Sequence, residues 1–290
     1  MISVAVWVIT ADGYTLGKSI VAALPDAVLF VSESLATGRE KPETEPSFRS
    51  LGPAVAEHFQ AFAGHVFVMS TGIAVRMIAP WIQRKTNDPA VVVLDDRGQH
   101  CISLLSGHLG GANDLTRRIS AIVNARPVIS TATDIRGLPA IDSLAKAKGL
   151  LIENPEQIKT VNMAIIHQAP LFVHDPYALL IQDLKDVGIP ICSDIKAAEA
   201  RVEIDDRLGS AGQQGLRLRP RSLAAGIGCN RGTEHTEMLE VLDRVCRDFQ
   251  LARNSLACLA SIDLKRDEAG LLGAAGRLSL EVFFYSKNQL

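Results

Sequence analysis

The sequence predicts an α/β protein with largely parallel open sheets, flanking helices and more than one domain. Strand-like apolar runs alternate with helix-spaced apolar residues almost from end to end. Two of the strand-to-helix joints are glycine turns, Ser-Gly-His-Leu-Gly-Gly from Ser106 and Gly-Cys-Asn-Arg-Gly from Gly228. A chain of 290 residues, 47% hydrophobic and 21% charged, also has enough apolar material for several cores.

Taken in order, residues 3–10 read as a core strand, because MISVAVWVIT is apolar, lacks a basic leader and breaks at Asp12-Gly13. A helix is expected over 16–24 and a strand over 27–31. The polar, proline-containing stretch 32–46 is expected to be a loop. Leu51, Val55 and Phe59 recur at four-residue steps and predict a helix over 48–62. A strand over 65–70 then leads into a helix over 73–82, which Pro80 ends or kinks. Strands over 91–94 and 101–105 flank Asp95-Asp96-Arg97-Gly98, a hairpin turn. After the first glycine turn, Ala112, Leu115, Ile119 and Ile122 keep helical spacing. A second strand and the hydroxyl-rich Ser130-Thr131-Ala132-Thr133-Asp134 follow. Segments 144–149, 155–167, 171–174 and 177–184 suggest a smaller α/β region, and 207–220 is the best linker candidate. A new unit begins with a strand over 223–227, the second glycine turn and a helix over 233–249 capped by Thr233. A strand over 256–262, a helix over 267–275 and a strand over 280–284 complete it. The domains expected are an N-terminal α/β domain (1–135), a middle α/β region (136–215) and a C-terminal α/β domain (222–290).

Composition narrows the function. A net charge of −2 gives no general pull toward nucleic acid or an anionic membrane. No apolar run approaches the roughly 18 residues of a spanning helix. Five cysteines without C-x-x-C spacing argue against a disulfide framework or structural zinc, and point to a reducing cytoplasm.

The strongest site candidate is His108. A strand entering a glycine turn that opens a helix is expected to leave backbone N–H groups for a carboxylate or phosphate, with Ser106, Gly107, Gly110 and Gly111 forming the cradle. His108 either hydrogen-bonds the turn or meets that ligand, and three surrounding glycines favour the ligand. Neither nucleotide fingerprint is present. Thr71-Gly72 before a helix carrying Arg76 is a second anion site, unless Arg76 pairs with Asp88 or Asp95. Lys85 and Asp88 share a charged loop, where they either act together on an acidic substrate or are simply solvated. Thr131, Thr133 and Asp134 either bind ligand or cap the next helix, and Asn113 and Asp114 have capping as their default. Gly228 and Arg231 mark a further anion-cradling loop; Cys229 in it has only His235 nearby in sequence, too little for a nucleophile–base pair.

The stretches TGIAVRMIAPWIQRKTNDPAVVVLDDRG, CISLLSGHLGGANDL and PVISTATDIRGLPAIDSLA, with AAGIGCNRGT and ASIDLKRDEAGLLGAA downstream, resemble the cobalt-precorrin 5A hydrolase (CbiG) family of anaerobic cobalamin biosynthesis. The resemblance covers essentially the whole chain. It implies opening of the δ-lactone of a cobalt-bearing corrinoid, with a two-carbon fragment leaving as acetaldehyde to give cobalt-precorrin 5B. It also implies a corrinoid substrate, other cobalamin-pathway enzymes as partners, no nucleic acid and no membrane. No cofactor is expected, since cobalt arrives in the substrate. Members of the family normally continue beyond a strand like LEVFFYSKNQL, so a shortened C-terminal domain with uncovered apolar surface is expected here.

For that chemistry the residues suggest His108 as general base and N–H groups around Gly110 and Gly111 as oxyanion donors. Lys85 is a second candidate for proton transfer or carboxylate anchoring, and Asp88 or Asp134 an orienting group. Gly72, Arg76, Ser106, Gly107, Asn113, Thr131, Thr133, Gly228 and Arg231 are the candidate substrate contacts. Two other readings stand beside this one: a non-catalytic corrinoid-intermediate carrier, and a nucleotide-using α/β enzyme, against which the missing P-loop lysine and acidic ribose partner count.

Overall fold

The computed structural model describes residues 3–35, 45–84, 87–209 and 215–289. The chain divides into two compact units, Met1–Gly137 and Leu138–Leu290. In the first, the elements run β1 (Val4–Val8), α1 (Ala11–Ala23), β2 (Ala27–Ser32), β3 (Ser47–Phe48), α2 (Leu51–His58), β4 (Gly64–Val68), α3 (Thr71–Ile78), β5 (Ala90–Leu94), β6 (His100–Leu105), α4 (Ala112–Val123), β7 (Arg126–Val128) and α5 (Ala132–Ile135). The strand order is β3-β2-β1-β4-β5-β6-β7. All neighbours are parallel except β5 and β6, the antiparallel hairpin anticipated at Asp95–Gly98. The α/β class with mainly parallel sheets is thus the observed one.

The sheet is buried on both faces, which explains near-continuous apolar strands such as VAVWV and AVVVL. Val4, Val6 and Val8 pack with Ile20 of α1 and with Leu115 and Ile119 of α4. Ala5 and Trp7 face the other way, onto Val55 of α2 and Ala74 and Ile78 of α3.

Helix α1 begins five residues earlier than its sequence pattern suggests. Asp12-Gly13 is no break: the Thr10 hydroxyl accepts the Gly13 N–H at 3.1 Å and starts the helix. Gly17 brings α1 close to the sheet, since a Cβ there would lie 2.7 Å from Leu29 Cδ1. The expected helix over 48–62 is shorter, because Ser47–Phe48 pairs with β2 and the helix opens only at Leu51. Within the expected loop over 32–46, residues 36–44 lie outside the described residues; Glu33–Leu35 form a 3-10 turn, and the buried Glu45 carboxylate accepts Tyr14 Oη at 3.1 Å and Lys18 Nζ at 2.9 Å.

His65 sits fully buried on β4, accepting Trp7 Nε1–H at Nδ1 (3.0 Å) and donating Nε2–H to the Phe59 carbonyl (3.0 Å). Burial pushes its pKa down from 6.5 to about 4; the Phe59 bond opposes this, and nearby His58 adds to it. The folded value lies below the unfolded one, so the unfolded chain takes the proton first. This contribution to stability is complete above about pH 6.5 and is lost as pH falls toward 4. Denaturant unfolding followed by Trp7 emission should show a loss of roughly 2 kcal/mol between pH 7 and pH 5 from this one ring. A flat profile would mean that the buried imidazole accepts a proton without cost.

The second unit continues with α6 (Ile141–Ala147), β8 (Leu151–Ile152), α7 (Ile158–Ile166), β9 (Leu171–His174), α8 (Ile181–Asp186), β10 (Ile191–Cys192), β11 (Ala200–Ile204) and β12 (Leu216–Arg219). These strands form a sheet of order β10-β9-β11-β12-β8, parallel except for β8. Then follow β13 (Leu223–Gly226), α9 (His235–Asp248), β14 (Leu256–Ile262), α10 (Ala269–Leu278) and β15 (Glu281–Tyr285), with β13-β14-β15 a parallel three-stranded sheet.

The linker candidate 207–220 contains a sheet strand. Leu216 and Leu218 are fully buried in β12, and the intervening arginines hide the alternation from a hydropathy reading. Helix α9 starts at His235, not at Thr233, whose hydroxyl instead donates to the Asn230 carbonyl at 3.0 Å. Among the described residues no helix is long and apolar enough to cross a membrane.

Candidate active site

Strand β6 runs opposite to β5, with Leu105 opposite Val91. Its carboxyl end therefore lies at the end of the sheet where β5 begins. Asp88, just before β5, shares this end, as do β7's exit and the 130–134 loop, since β7 is parallel to β6. Thr71-Gly72 and Arg76 leave β4 at the opposite end, a five-residue strand length or roughly 17 Å away. There Arg76 donates to the Gly72 carbonyl at 3.0 Å. The first-unit candidates thus fall into two groups.

The glycine turn is tighter than expected. Ser106 turns the chain with φ +58°, and its carbonyl accepts the Ala112 N–H at 3.1 Å. The Gly107 carbonyl takes Asn113 N–H (3.0 Å) and the His108 carbonyl takes Gly111 N–H (3.0 Å). Of the donors expected around Gly110 and Gly111, the Gly111 N–H is therefore taken up by the turn itself, as are those of Ala112 and Asn113. The glycines also have packing reasons. Gly111 opens α4 at φ +89°, and a Cβ on Gly110 would come within 2.9 Å of the Ser106 carbonyl and 3.2 Å of the Asp88 carbonyl. At Gly107 a Cβ would meet Asn113 Oδ1 at 2.8 Å. The buried Ser106 hydroxyl has no hydrogen-bond partner among the described residues.

What the turn presents is a polar nest around one carboxylate. Asp134 Oδ2 lies 3.0 Å from His108 Nε2, 2.9 Å from Asn113 Nδ2 and 2.6 Å from the Thr131 hydroxyl. Oδ1 receives Arg117 Nη2 at 2.5 Å. Asn113 is 3% exposed and does not cap α4, whose N-cap is Gly111; it takes the Ser103 hydroxyl at Oδ1 (2.6 Å) and donates to Thr131 Oγ1 (3.0 Å). Thr133 Oγ1 lies 3.1 Å from His108 Nε2. Burial pushes the Asp134 carboxyl up, but bonds from Thr131, His108 and Arg117 outweigh it and hold its pKa below the usual range. An ionised Asp134 only accepts, so His108 Nε2 carries a hydrogen toward it. The His108 side chain is 11% exposed, set among polar groups and not in hydrocarbon.

Asp88 is buried and closes its own loop, accepting Gln83 N–H at Oδ1 (2.9 Å). Lys85 lies outside the described residues. Arg117 was missed by the sequence reading. Its signal was spacing: it follows Asn113 by four residues on α4, so both side chains project from one face onto Asp134.

The second-unit candidates are arranged differently. Arg231 donates to Asp267 Oδ1 (2.7 Å) and the Leu264 carbonyl (3.0 Å), and Gly232 N–H to Glu268 (2.9 Å). The cation thus ties the glycine turn to the 264–268 segment. Gly228 and Cys229 border an apolar cavity of about 530 Å³ between β13 and α9, walled by Met238, Leu242 and Leu256. His108 is not among its lining residues. No group of three or more His, Cys, Asp or Glu able to hold a metal ion occurs among the described residues.

A carboxylate-paired imidazole, here at the carboxyl ends of β6 and β7, is an arrangement found in α/β enzymes. Residues 53–134 match the family model "Cobalamin synthesis G N-terminal", 139–220 "Cobalamin biosynthesis central region" and 223–290 "Cobalamin synthesis G C-terminus". The chain is 31% identical to the cobalt-precorrin-5A hydrolase of Priestia megaterium, covering 99% of this chain and 80% of that one. Identity to the cobalt-precorrin-5A hydrolase of Salmonella typhimurium is 35%, over 94% of this chain and 79% of the other. A solved cobalamin biosynthesis protein G homolog from Sulfolobus solfataricus is 22% identical, with a TM-score of 0.44 over 99% of this chain and 80% of that one. The chain belongs to the cobalt-precorrin-5A hydrolase family.

Proposed function

We propose that this chain hydrolyses cobalt-precorrin 5A in cobalamin biosynthesis, with His108 as general base. The observation that carries the assignment is the Asp134–His108 contact at 3.0 Å, which holds the ring hydrogen on Nε2. Nδ1 takes a proton from water as its oxygen attacks the lactone carbonyl. The tetrahedral intermediate collapses by breaking the ring C–O bond, and the proton passes to the released alkoxide. Deprotonating the resulting hydroxyl then lets the adjacent carbon–carbon bond break. The two-carbon fragment leaves as acetaldehyde, and a proton replaces it on the macrocycle, giving cobalt-precorrin 5B. Asn113, Thr131 and Thr133 lock the carboxylate and the ring; Ser106, Gly107 and Gly110 shape the turn that carries them. Cobalt is part of the substrate, so these steps draw on no resident cofactor. A reducing cytoplasm suits the five free thiols.

Incubation of the chain with cobalt-precorrin 5A should release one acetaldehyde per substrate consumed, read by a coupled aldehyde assay and by mass spectrometry of the corrinoid. Tight binding with no aldehyde over many hours would instead make it a carrier of the intermediate.

A further inference from the structure

We infer that Arg117 is a positioning residue that sets the strength of the His108 base through Asp134. The inference rests on the reading of His108 as base. The connection runs through a single carboxylate: Oδ2 faces His108 Nε2 at 3.0 Å, and Oδ1 faces Arg117 Nη2 at 2.5 Å. Asn113 and Thr131 donate to Oδ2, on the His108 side, so Arg117 serves Oδ1 and places a full positive charge on the far side of the carboxylate. Its electrostatic consequence is specific. An anion beside an imidazole stabilises the protonated ring, and a cation on the anion's far side opposes that stabilisation. Arg117 therefore offsets part of the stabilisation that Asp134 gives to a proton arriving on His108.

Among the described residues, the charged groups on the neighbouring elements have partners of their own. From α4, Asp114 is exposed and accepts Arg117 Nη1 at 3.1 Å. From α5, Arg136 turns to the Ala132 carbonyl. From the loop before β5, Asp88 holds Gln83 N–H. Asp134 itself is ionised at neutral pH, because its pKa is held below the usual carboxylate range.

The test compares wild type with Arg117→Gln and Arg117→Lys. In Arg117→Gln the acid limb of kcat/KM and the His108 imidazole titration followed by NMR should both move up by about half to one pH unit. At the midpoint of the wild-type limb kcat/KM should fall about 2–6-fold, and well above the limb it should return to within about twofold of wild type. Arg117→Lys, which keeps the charge, should restore the wild-type limb. An unmoved titration and limb would overturn the inference. So would a loss equal at every pH, which a purely structural or substrate-holding Arg117 would give. The NMR titration needs no substrate, so it reads the Arg117–Asp134–His108 coupling even if His108→Ala retains activity and His108 is not the base.

Discussion

Replacing His108 by alanine should lower acetaldehyde release from cobalt-precorrin 5A by about 10²–10⁴-fold, the usual contribution of a positioned general base. The acid limb of the wild-type pH profile should disappear with the imidazole, since no group remains there whose deprotonation switches on the step. Asp134→Asn should lose nearly as much while keeping the fold, because Asn is isosteric with Asp. Its amide can donate to Nε2, which moves the ring hydrogen to Nδ1 and leaves no basic nitrogen toward the water. The analogous change in a serine-protease triad costs about 10⁴-fold for this reason. The double variant should be little worse than His108→Ala, because the two side chains act as one unit. A His108→Ala rate within about threefold of wild type would remove His108 as the base. An Asp134→Asn rate near wild type, with His108→Ala inactive, would retain the base and discard the tautomer argument.

Periodicity carried the fold where strands are buried on both faces or helices have one apolar face. VAVWV, AVVVL and the spacing of Leu115 and Ile119 could hardly be read otherwise. It failed where polar residues do structural work. β12 reads LRLR, and one of its arginines is a core residue, so hydropathy marks as linker what the sheet uses as a strand. Asp12-Gly13 resembles a breaker, yet Thr10 makes it the first turn of α1.

The site was legible in its parts but not in its grouping. SGHLGG and STATD are separated by α4, and only the direction of β6 shows that they meet. The same reversal separates them from Thr71-Gly72, a consequence that composition and spacing do not express. The glycines, read as a ligand cradle, are each required by the turn's own contacts, while the ligand-facing chemistry lies in side chains around Asp134.

Arg219→Met should destabilise the second unit by about 3–5 kcal/mol, the penalty for removing one partner of a buried charge cluster. The guanidinium is 1% exposed. Nε and Nη2 donate to Glu153 Oε2 at 3.1 and 2.9 Å, and Nη1 to the carbonyls of Asp205 and Arg207 at 2.9 and 3.0 Å, with Glu203 Oε1 at 3.5 Å. Methionine fills the volume but removes the Arg219 bonds to two carboxylates and two carbonyls, and among the described residues only Glu153 keeps other partners, Asn254 and Arg217. Lysine keeps the charge but lacks the planar fork, so Arg219→Lys should recover only part of the loss. Burial raises the Glu153 pKa, and the Arg219 bond, its charge and Asn254 overcome this, leaving the folded value below the unfolded one. That part of the stability is present at neutral pH and is lost as pH falls below the ordinary glutamate range. Both tryptophans, Trp7 and Trp81, lie in the first unit, so their fluorescence does not report the change. Hydrogen exchange on peptides spanning 200–209 and 215–219 does, and should quicken by about two to four orders of magnitude if opening there follows the second unit's stability. Exchange in Arg219→Met that matches wild type would show that water, not the guanidinium, satisfies Glu153 and Glu203.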